Sequence, residues 1–289
     1  MKGFGIARSK PSAGYSGRFV PNAAGAYDYA TLATIPDGFG DGEFCLELDV
    51  TPTASGVTVA GTTIATGSTA SVKTGRWSSD NSTIYSASDW WFLGNFLLDG
   101  HNNTSASAGT CSVQLTNSGR VQWTFGDGAA AAARTGLLHG MRGTTDIRGT
   151  RTKIYLVRRW DGGSGSILEL WVNGTMEDSE NSTARTNMAT TYWDGGFPSF
   201  TVNQRFWMFG AEKQSAIGVI SEWEDAFLLT HAVNFYNSAP TSGNLTAMTL
   251  GTPDEAYDFS EGIGSSVAAS NGGASMTVVS PAGTFWVPN

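Results

Sequence analysis

The stretch GEFCLELDVTP at 42–52 constrains the chain most. It alternates without a break: Phe44, Leu46, Leu48 and Val50 fall on one side, Cys45, Glu47 and Asp49 on the other. A helix would scatter these residues around its circumference, whereas a strand sends successive side chains to opposite faces. Pro52 cannot donate to a ladder and ends the strand. The pattern recurs in CSVQLTNSGRVQWTFGDG at 111–128, a hairpin about Asn117-Ser118-Gly119, and in RTKIYLVRRWDGGSGSILELWVNGT at 151–175. In the second hairpin Ile154, Leu156 and Arg158 share a face, residues 161–165 turn, and Leu168, Leu170 and Val172 oppose Ile167, Glu169 and Trp171. Asn173-Gly174 marks the next turn.

Further strands are expected in SDWWFLGNFLLDG at 88–100, in RFWMFGAEKQ at 205–214 and in residues 216–233. The interval 129–150, with AAAAA and Gly136, Gly140, Gly143 and Gly149, reads as a long loop. No repeat at fixed period and no linker divides the middle. One all-β domain with a pair of packed sheets is the economical reading.

Composition agrees. Charged residues make up 15% and there are 37 glycines, so the chain is rich in turns and poor in helix-forming residues. The net charge of −8 disfavours phosphate backbones, so no nucleic-acid partner is expected. No run approaches the length of a membrane span, and the first residues lack the apolar core of a secretory signal. Cys45 and Cys111 are too few for a disulfide framework, and two free thiols are expected, Cys45 turned away from the core that Phe44 and Leu46 enter.

Residues 1–26 stand apart. Lys2, Arg8, Lys10 and Arg18 are basic, and the first acid is Asp28. Gly and Pro punctuate the segment, so an extended N-terminal arm is expected on a domain spanning 27–289. Such an arm would dock on an acidic neighbour, with Phe4, Tyr15 and Phe19 as anchors.

Three segments carry a resemblance. TKIYLVRRWDGGSGSILELWVNG resembles the central hairpin of laminin-G-like domains, where a strand, a Gly-rich turn and an L-x-L-W/Y-V-D/N-G strand recur. FWMFGAEKQSAIGVISEWEDAFLLTHAV resembles the part that follows. DEAYDFSEGIGSSVAASNGGASMTVVSPAGTFW at 254–286 resembles a later stretch, with Phe259, Glu261, Gly262 and Gly264 matching and Ala269 where an Asp is common. The resemblance implies a concanavalin-A-like (laminin-G-like) antiparallel jelly-roll sandwich of two sheets. In style the chain also resembles accessory proteins of tailed bacteriophages. That likeness implies a non-catalytic protein made in the host cytoplasm and placed on the virion surface, as a capsid decoration or tail-fibre module. The arm would then meet other virion proteins or copies of the chain, and the domain would meet cell-surface or environmental glycans. A stand-alone carbohydrate-binding lectin is the alternative, and a glycoside hydrolase of lectin fold a further one.

The residues bear on these alternatives. Lectin-fold glucanases carry three acids on one strand as E-x-D-x-E or E-x-D-x-x-E. Glu47-x-Asp49 lacks the third, and Glu222 and Glu224 have no Asp between them. Both pairs read as solvated strand faces, and no enzyme is expected. His101, His139 and His231 are far apart, with no zinc motif. Asp99, Asn102 and Asn103, with His101, cluster after an aromatic run, an oxygen-rich set suited to Ca²⁺, which relatives of this fold often hold at a loop rim. For glycans the candidates are Trp90 and Trp91, adjacent and so facing opposite ways, and Trp160 beside Asp161 and Trp193 beside Asp194. An aromatic face next to a carboxylate suits a sugar ring.

Overall fold

The chain forms antiparallel β-sheets. The structure, a computed structural model, describes residues 15–19, 29–32, 43–52, 58–59, 62–63, 95–99, 111–115, 119–126, 138–160, 166–181, 228–239, 250–280 and 286–288. Its strands are β1 (Tyr15–Phe19), β2 (Tyr29–Thr31), β3 (Phe44–Pro52), β4 (Thr58–Val59), β5 (Thr62–Thr63), β6 (Asn95–Asp99), β7 (Cys111–Leu115), β8 (Arg120–Gly126) and β9 (Leu138–Asp146). They continue with β10 (Thr152–Trp160), β11 (Ser166–Val172), β12 (Thr175–Asn181), β13 (Leu228–Tyr236), β14 (Glu255–Tyr257), β15 (Ser266–Val267), β16 (Met276–Val279) and β17 (Trp286–Pro288). Among the described residues, the largest sheet runs β12-β11-β10-β3-β13-β1-β17, with β14 also on β13. A second sheet runs β6-β7-β8-β9, a third β15-β16-β2, and β4 pairs with β5.

Two sheets pack face to face. The alternating apolar side of β3 (Phe44, Leu46, Leu48, Val50) joins Ile154, Leu156, Leu168, Leu170, Val233 and Phe235 from the large sheet in one core with Leu97, Val113, Trp123 and Met141 from the four-stranded sheet. Phe44 meets Trp123 edge to face across the layers, with ring centroids 6.2 Å apart. This is the antiparallel sandwich that the strand pattern and the resemblance imply. Arg158 shares the inward face of β10 with Ile154 and Leu156 and is buried there.

The turns carry the conformations their residues favour. Asn173 (φ 49°) and Gly174 (φ 80°) are both left-handed, as a tight two-residue hairpin turn requires, and they link β11 to β12. Gly262 (φ 72°) lies against the ring of Tyr15, where a Cβ would come within 2.8 Å of ring carbons.

Three expectations are corrected. Residues 138–146 are not part of a loop: β9 pairs along β8, with Trp123 opposite Met141. Its glycines hid it. Gly143 stands where Glu177 of β12 crosses, and the Glu177 carboxylate accepts from the backbone N–H of Thr144 at 2.7 Å and of Thr145 at 3.2 Å. Asp178 likewise accepts from the Arg142 N–H at 2.9 Å, so side chains of β12 join the edges of the two main sheets. Second, the separate arm does not extend to residue 26. Tyr15, Arg18 and Phe19 lie in β1, a strand inside the large sheet, with Gly17 opposite Thr230 and Tyr15 opposite Pro288. Ladder hydrogen bonds on both sides hold a segment whose basic and glycine-rich sequence had concealed a strand. Third, of the strand expected at 216–233 the structure describes only the end, and β13 continues to Tyr236. The strand expected at 205–214 lies outside the described residues. No helix among the described residues is long and apolar enough to cross a membrane.

Candidate binding face

The outward side of the large sheet holds the polar residues of β3. Strand period alone puts Cys45, Glu47 and Asp49 there, opposite the core. Register then sets their neighbours. Asn234, Glu47, Tyr155 and Trp171 form one row across β13, β3, β10 and β11. Tyr236, Cys45, Val157 and Glu169 form the next, and Ala232, Asp49 and Lys153 a third. Cross-strand neighbours on one face are within reach of each other's side chains, so this grid fixes who pairs with whom.

Glu47 and Asp49 are not solvated, contrary to the sequence reading. Glu47 Oε1 accepts from Lys153 Nζ at 2.7 Å, and Oε2 accepts from Asn234 Nδ2 and from the Tyr236 hydroxyl, each at 3.0 Å. Asp49 takes Arg151 in a fork, Nε to Oδ1 and Nη2 to Oδ2, both 2.9 Å. Glu169 Oε1 accepts from Arg159 Nε at 2.8 Å, and Oε2 from the Trp171 indole at 3.0 Å. A carboxylate under a cover of neighbours is retained only when its oxygens are satisfied, and all three are.

The three ion pairs share one asymmetry. Arg151 exposes 60% of its side chain against 7% for Asp49, Lys153 43% against 4% for Glu47, and Arg159 22% against 5% for Glu169. In each pair the acid lies beneath and the cation reaches outward.

Beside them on the same face Cys45, Tyr155, Val157, Trp171 and Tyr236 form, with Leu250, a second apolar cluster. Cys45 is a free thiol turned away from the main core, as alternation implied, yet it is fully buried on its own side. Burial, and then the Glu47 carboxylate, pushes the Cys45 thiol up, and the same two causes hold the Tyr155 and Tyr236 phenols well above their ordinary range. These groups stay protonated at neutral pH, and Tyr236 donates to Glu47.

His231 sits beside this face at an irregularity of the β13–β3 ladder. Ser16 Oγ is 2.8 Å from its Nδ1 and Thr51 Oγ1 2.8 Å from its Nε2, so the ring bridges β1 and β3. The neutral imidazole accepts at one nitrogen and donates at the other. Burial, and then the Arg151 guanidinium, holds its pKa below the ordinary histidine value, with Asp49 acting the other way.

Of the residues singled out from the sequence, Trp160 is the last of β10, opposite Ser166. Asp99 is the last of β6, opposite Ser112. Cys111 is the first of β7, opposite Phe125. Trp90, Trp91, Asp161, Trp193, Asp194, His101, Asn102 and Asn103 lie outside the described residues, as do Glu222, Glu224, Lys2, Phe4, Arg8 and Lys10. Among the described residues no group of three or more His, Cys, Asp or Glu is placed to hold a metal ion. What the sequence reading missed is the cation row of Arg151, Lys153 and Arg159. Its signal was present: Lys153 and Arg159 alternate with apolar residues on β10, the one strand that can face both Glu47 and Glu169.

No protein-family profile matches the chain, and no curated protein matches it. Among solved structures it is similar to a native heptameric SAP-like pentraxin from Limulus polyphemus, at 10% identity over 96% of this chain and 100% of that one, with a TM-score of 0.43. It is similar to the IT-sialidase CBM40 of Ruminococcus gnavus bound to alpha2,3 sialyllactose, at 10% identity over 76% of this chain and 91% of that one, TM-score 0.41. An endo-beta-1,4-glucuronan lyase from the fungus Trichoderma reesei is similar at 8% identity over 78% and 79% of the two chains, TM-score 0.34. At TM-scores this low the superpositions are loose.

Proposed function

We propose that this chain is a lectin-like binding module that takes a saccharide on the outward face of its large sheet, and that it serves as a non-catalytic accessory protein on a virion surface. The observation that carries the binding role is the asymmetry of the three ion pairs. Buried Asp49, Glu47 and Glu169 hold the heads of Arg151, Lys153 and Arg159 in fixed positions, so the face presents oriented N–H donors on a rigid sheet. A polyhydroxylated ligand needs convergent, pre-positioned polar groups of this kind. Binding is favoured over cleavage because each acid on the face already accepts from a cation, and Glu47 and Glu169 from a further donor as well. A carboxylate so committed is poorly placed to move a proton or attack a sugar carbon.

Attachment to a particle draws on the N-terminal sequence. With Tyr15–Phe19 built into the sheet, the basic stretch shrinks to residues 1–14, which hold Lys2, Arg8 and Lys10 and no acid on a chain of net charge −8. That segregation favours an acidic neighbour, another virion protein or another copy of the chain.

A glycan array probed with the full chain tests the binding role, and specific retention on saccharide spots is expected. A blank array, with the protein shown folded by its melting transition, would defeat it. Deleting residues 2–12 tests attachment: loss of particle binding with an unchanged melting temperature is expected, and undiminished attachment would overturn that part.

A further inference from the structure

The geometry points to a carboxylate-bearing saccharide, of the uronic-acid type, as the ligand of this face, with Arg151 and Lys153 as the residues that read its acid groups. This inference rests on the binding role proposed above and narrows it.

The argument starts from the donors already used. Asp49 occupies Arg151 Nε and one side of Nη2. The other edge of the guanidinium, formed by Nη1 and the remaining N–H of Nη2, has no partner among the described residues. That edge is a second planar fork whose spacing matches a carboxylate. Lys153 gives Glu47 one of its N–H groups, and its other donors have no partner among the described residues. Both side chains are substantially exposed, at 60% and 43%. They lie two residues apart on one face, a separation of about 7 Å along an extended strand. Two neighbouring cations with open donors, and buried acids that cannot reach outward, present only hydrogen-bond donors to a ligand. Oxygens that accept without donating, above all carboxylate oxygens, fit that surface better than hydroxyls, which need acceptors as well.

The overall charge of −8 does not cancel this. Charges beyond about 8 Å are largely screened at physiological ionic strength, while contacts at hydrogen-bond distance are not. The buried acids beneath do reduce the net charge of the site. Recognition therefore depends on the geometry of the open fork more than on attraction at a distance, which separates the site from a general polyanion surface.

The test compares binding of the full chain to a polyuronate, a neutral galactan, a sulfated galactan and a single-stranded oligonucleotide. Three variants are run beside it, each with its melting temperature. Arg151→Lys keeps the charge and the partner of Asp49 but loses the open fork. Lys153→Gln removes the second cation. Arg148→Gln removes a half-buried arginine that pairs instead with Asp146 at the end of β9. The expected result is preferential binding of the polyuronate, weakened about tenfold by Arg151→Lys or Lys153→Gln and unchanged by Arg148→Gln. Neutral galactan bound as well as polyuronate would overturn the inference and leave the saccharide-binding role standing. Equal binding of sulfated galactan or oligonucleotide would mean a surface that reads charge alone, and would overturn it too. Polyuronate binding that survives Arg151→Lys at an unchanged melting temperature would remove Arg151 from the site. No binding to any saccharide would bring down the binding role itself.

Discussion

Lys153 Nζ stands 2.7 Å from Glu47 Oε1, yet the lysine side chain is 43% exposed and the glutamate only 4%. The pair is therefore unlike a surface salt bridge. Removing the acid strands a cation, the Tyr236 hydroxyl and the Asn234 amide at once. Glu47→Ala is expected to cost about 3 kcal/mol, the lower end for breaking a buried pair because the lysine can still reach water. Asp146→Ala breaks an exposed pair with Arg148, and is expected to cost no more than about 1 kcal/mol. Urea denaturation of both variants checks the contrast through the shift in midpoint at constant slope. Equal costs would mean that the Glu47 network contributes nothing beyond a surface contact.

His231 gives the fold a dependence on acid. Its folded pKa lies below the unfolded value of about 6.5, so as pH falls the unfolded chain takes up the proton first. The stability this residue contributes is present above about pH 6.5 and is lost as pH falls through the lower folded value. His231→Gln keeps a donor and an acceptor for Ser16 and Thr51 without a titrating proton. Melting temperature measured from pH 7.5 down to 5 is expected to fall more steeply in the wild type than in the variant. Parallel curves would show that His231 does not titrate in this window.

The seam between β9 and β12 depends on a missing side chain. A Cβ on Gly143 would run into Glu177 Oε2, the atom that accepts from the Thr144 and Thr145 amides. Gly143→Ala is expected to cost about 1–3 kcal/mol, the range for leaving polar groups unpaired. Most of that cost should vanish in a Glu177→Ala background, because the two changes damage one contact. Strict additivity in the double-mutant cycle would locate the strain elsewhere.

Much of the fold was legible in the sequence because alternation reports a strand directly. Phe44, Leu46, Leu48 and Val50, and likewise Leu168, Leu170 and Val172, point inward as their spacing requires. The strand at Leu138–Asp146 was not legible, since Gly140 and Gly143 blank the positions where alternation would show. The strand at Tyr15–Phe19 was hidden by Gly17 and Arg18, and nothing local reveals that β13 and β17 hold it on both sides. The candidate site was half legible. Alternation told which face Glu47 and Asp49 occupy, but not that neighbouring strands and a second apolar cluster cover them. Burial of that face depends on the register of β10 and β13, which brings Lys153, Tyr155, Asn234 and Tyr236 around Glu47 from residues more than a hundred positions away.

Calcium remains a proposal from the oxygen-rich run of Asp99, Asn102 and Asn103. An ion that binds the folded state alone raises its melting temperature with concentration. The melting temperature is expected to rise between chelator and calcium on the order of 1 mM, and Asp99→Ala should abolish the rise. Identical curves in chelator and calcium would remove the metal.

A structure of the chain with a bound uronate oligosaccharide tests the central claim most directly. The account predicts saccharide density over the outward face of the large sheet, with carboxylate oxygens on the open edge of Arg151 and on Lys153. Asp49 and Glu47 should keep their present partners beneath. Density placed instead beside Trp193 and Asp194 or beside Asn102 and Asn103, with Arg151 and Lys153 untouched, would contradict it.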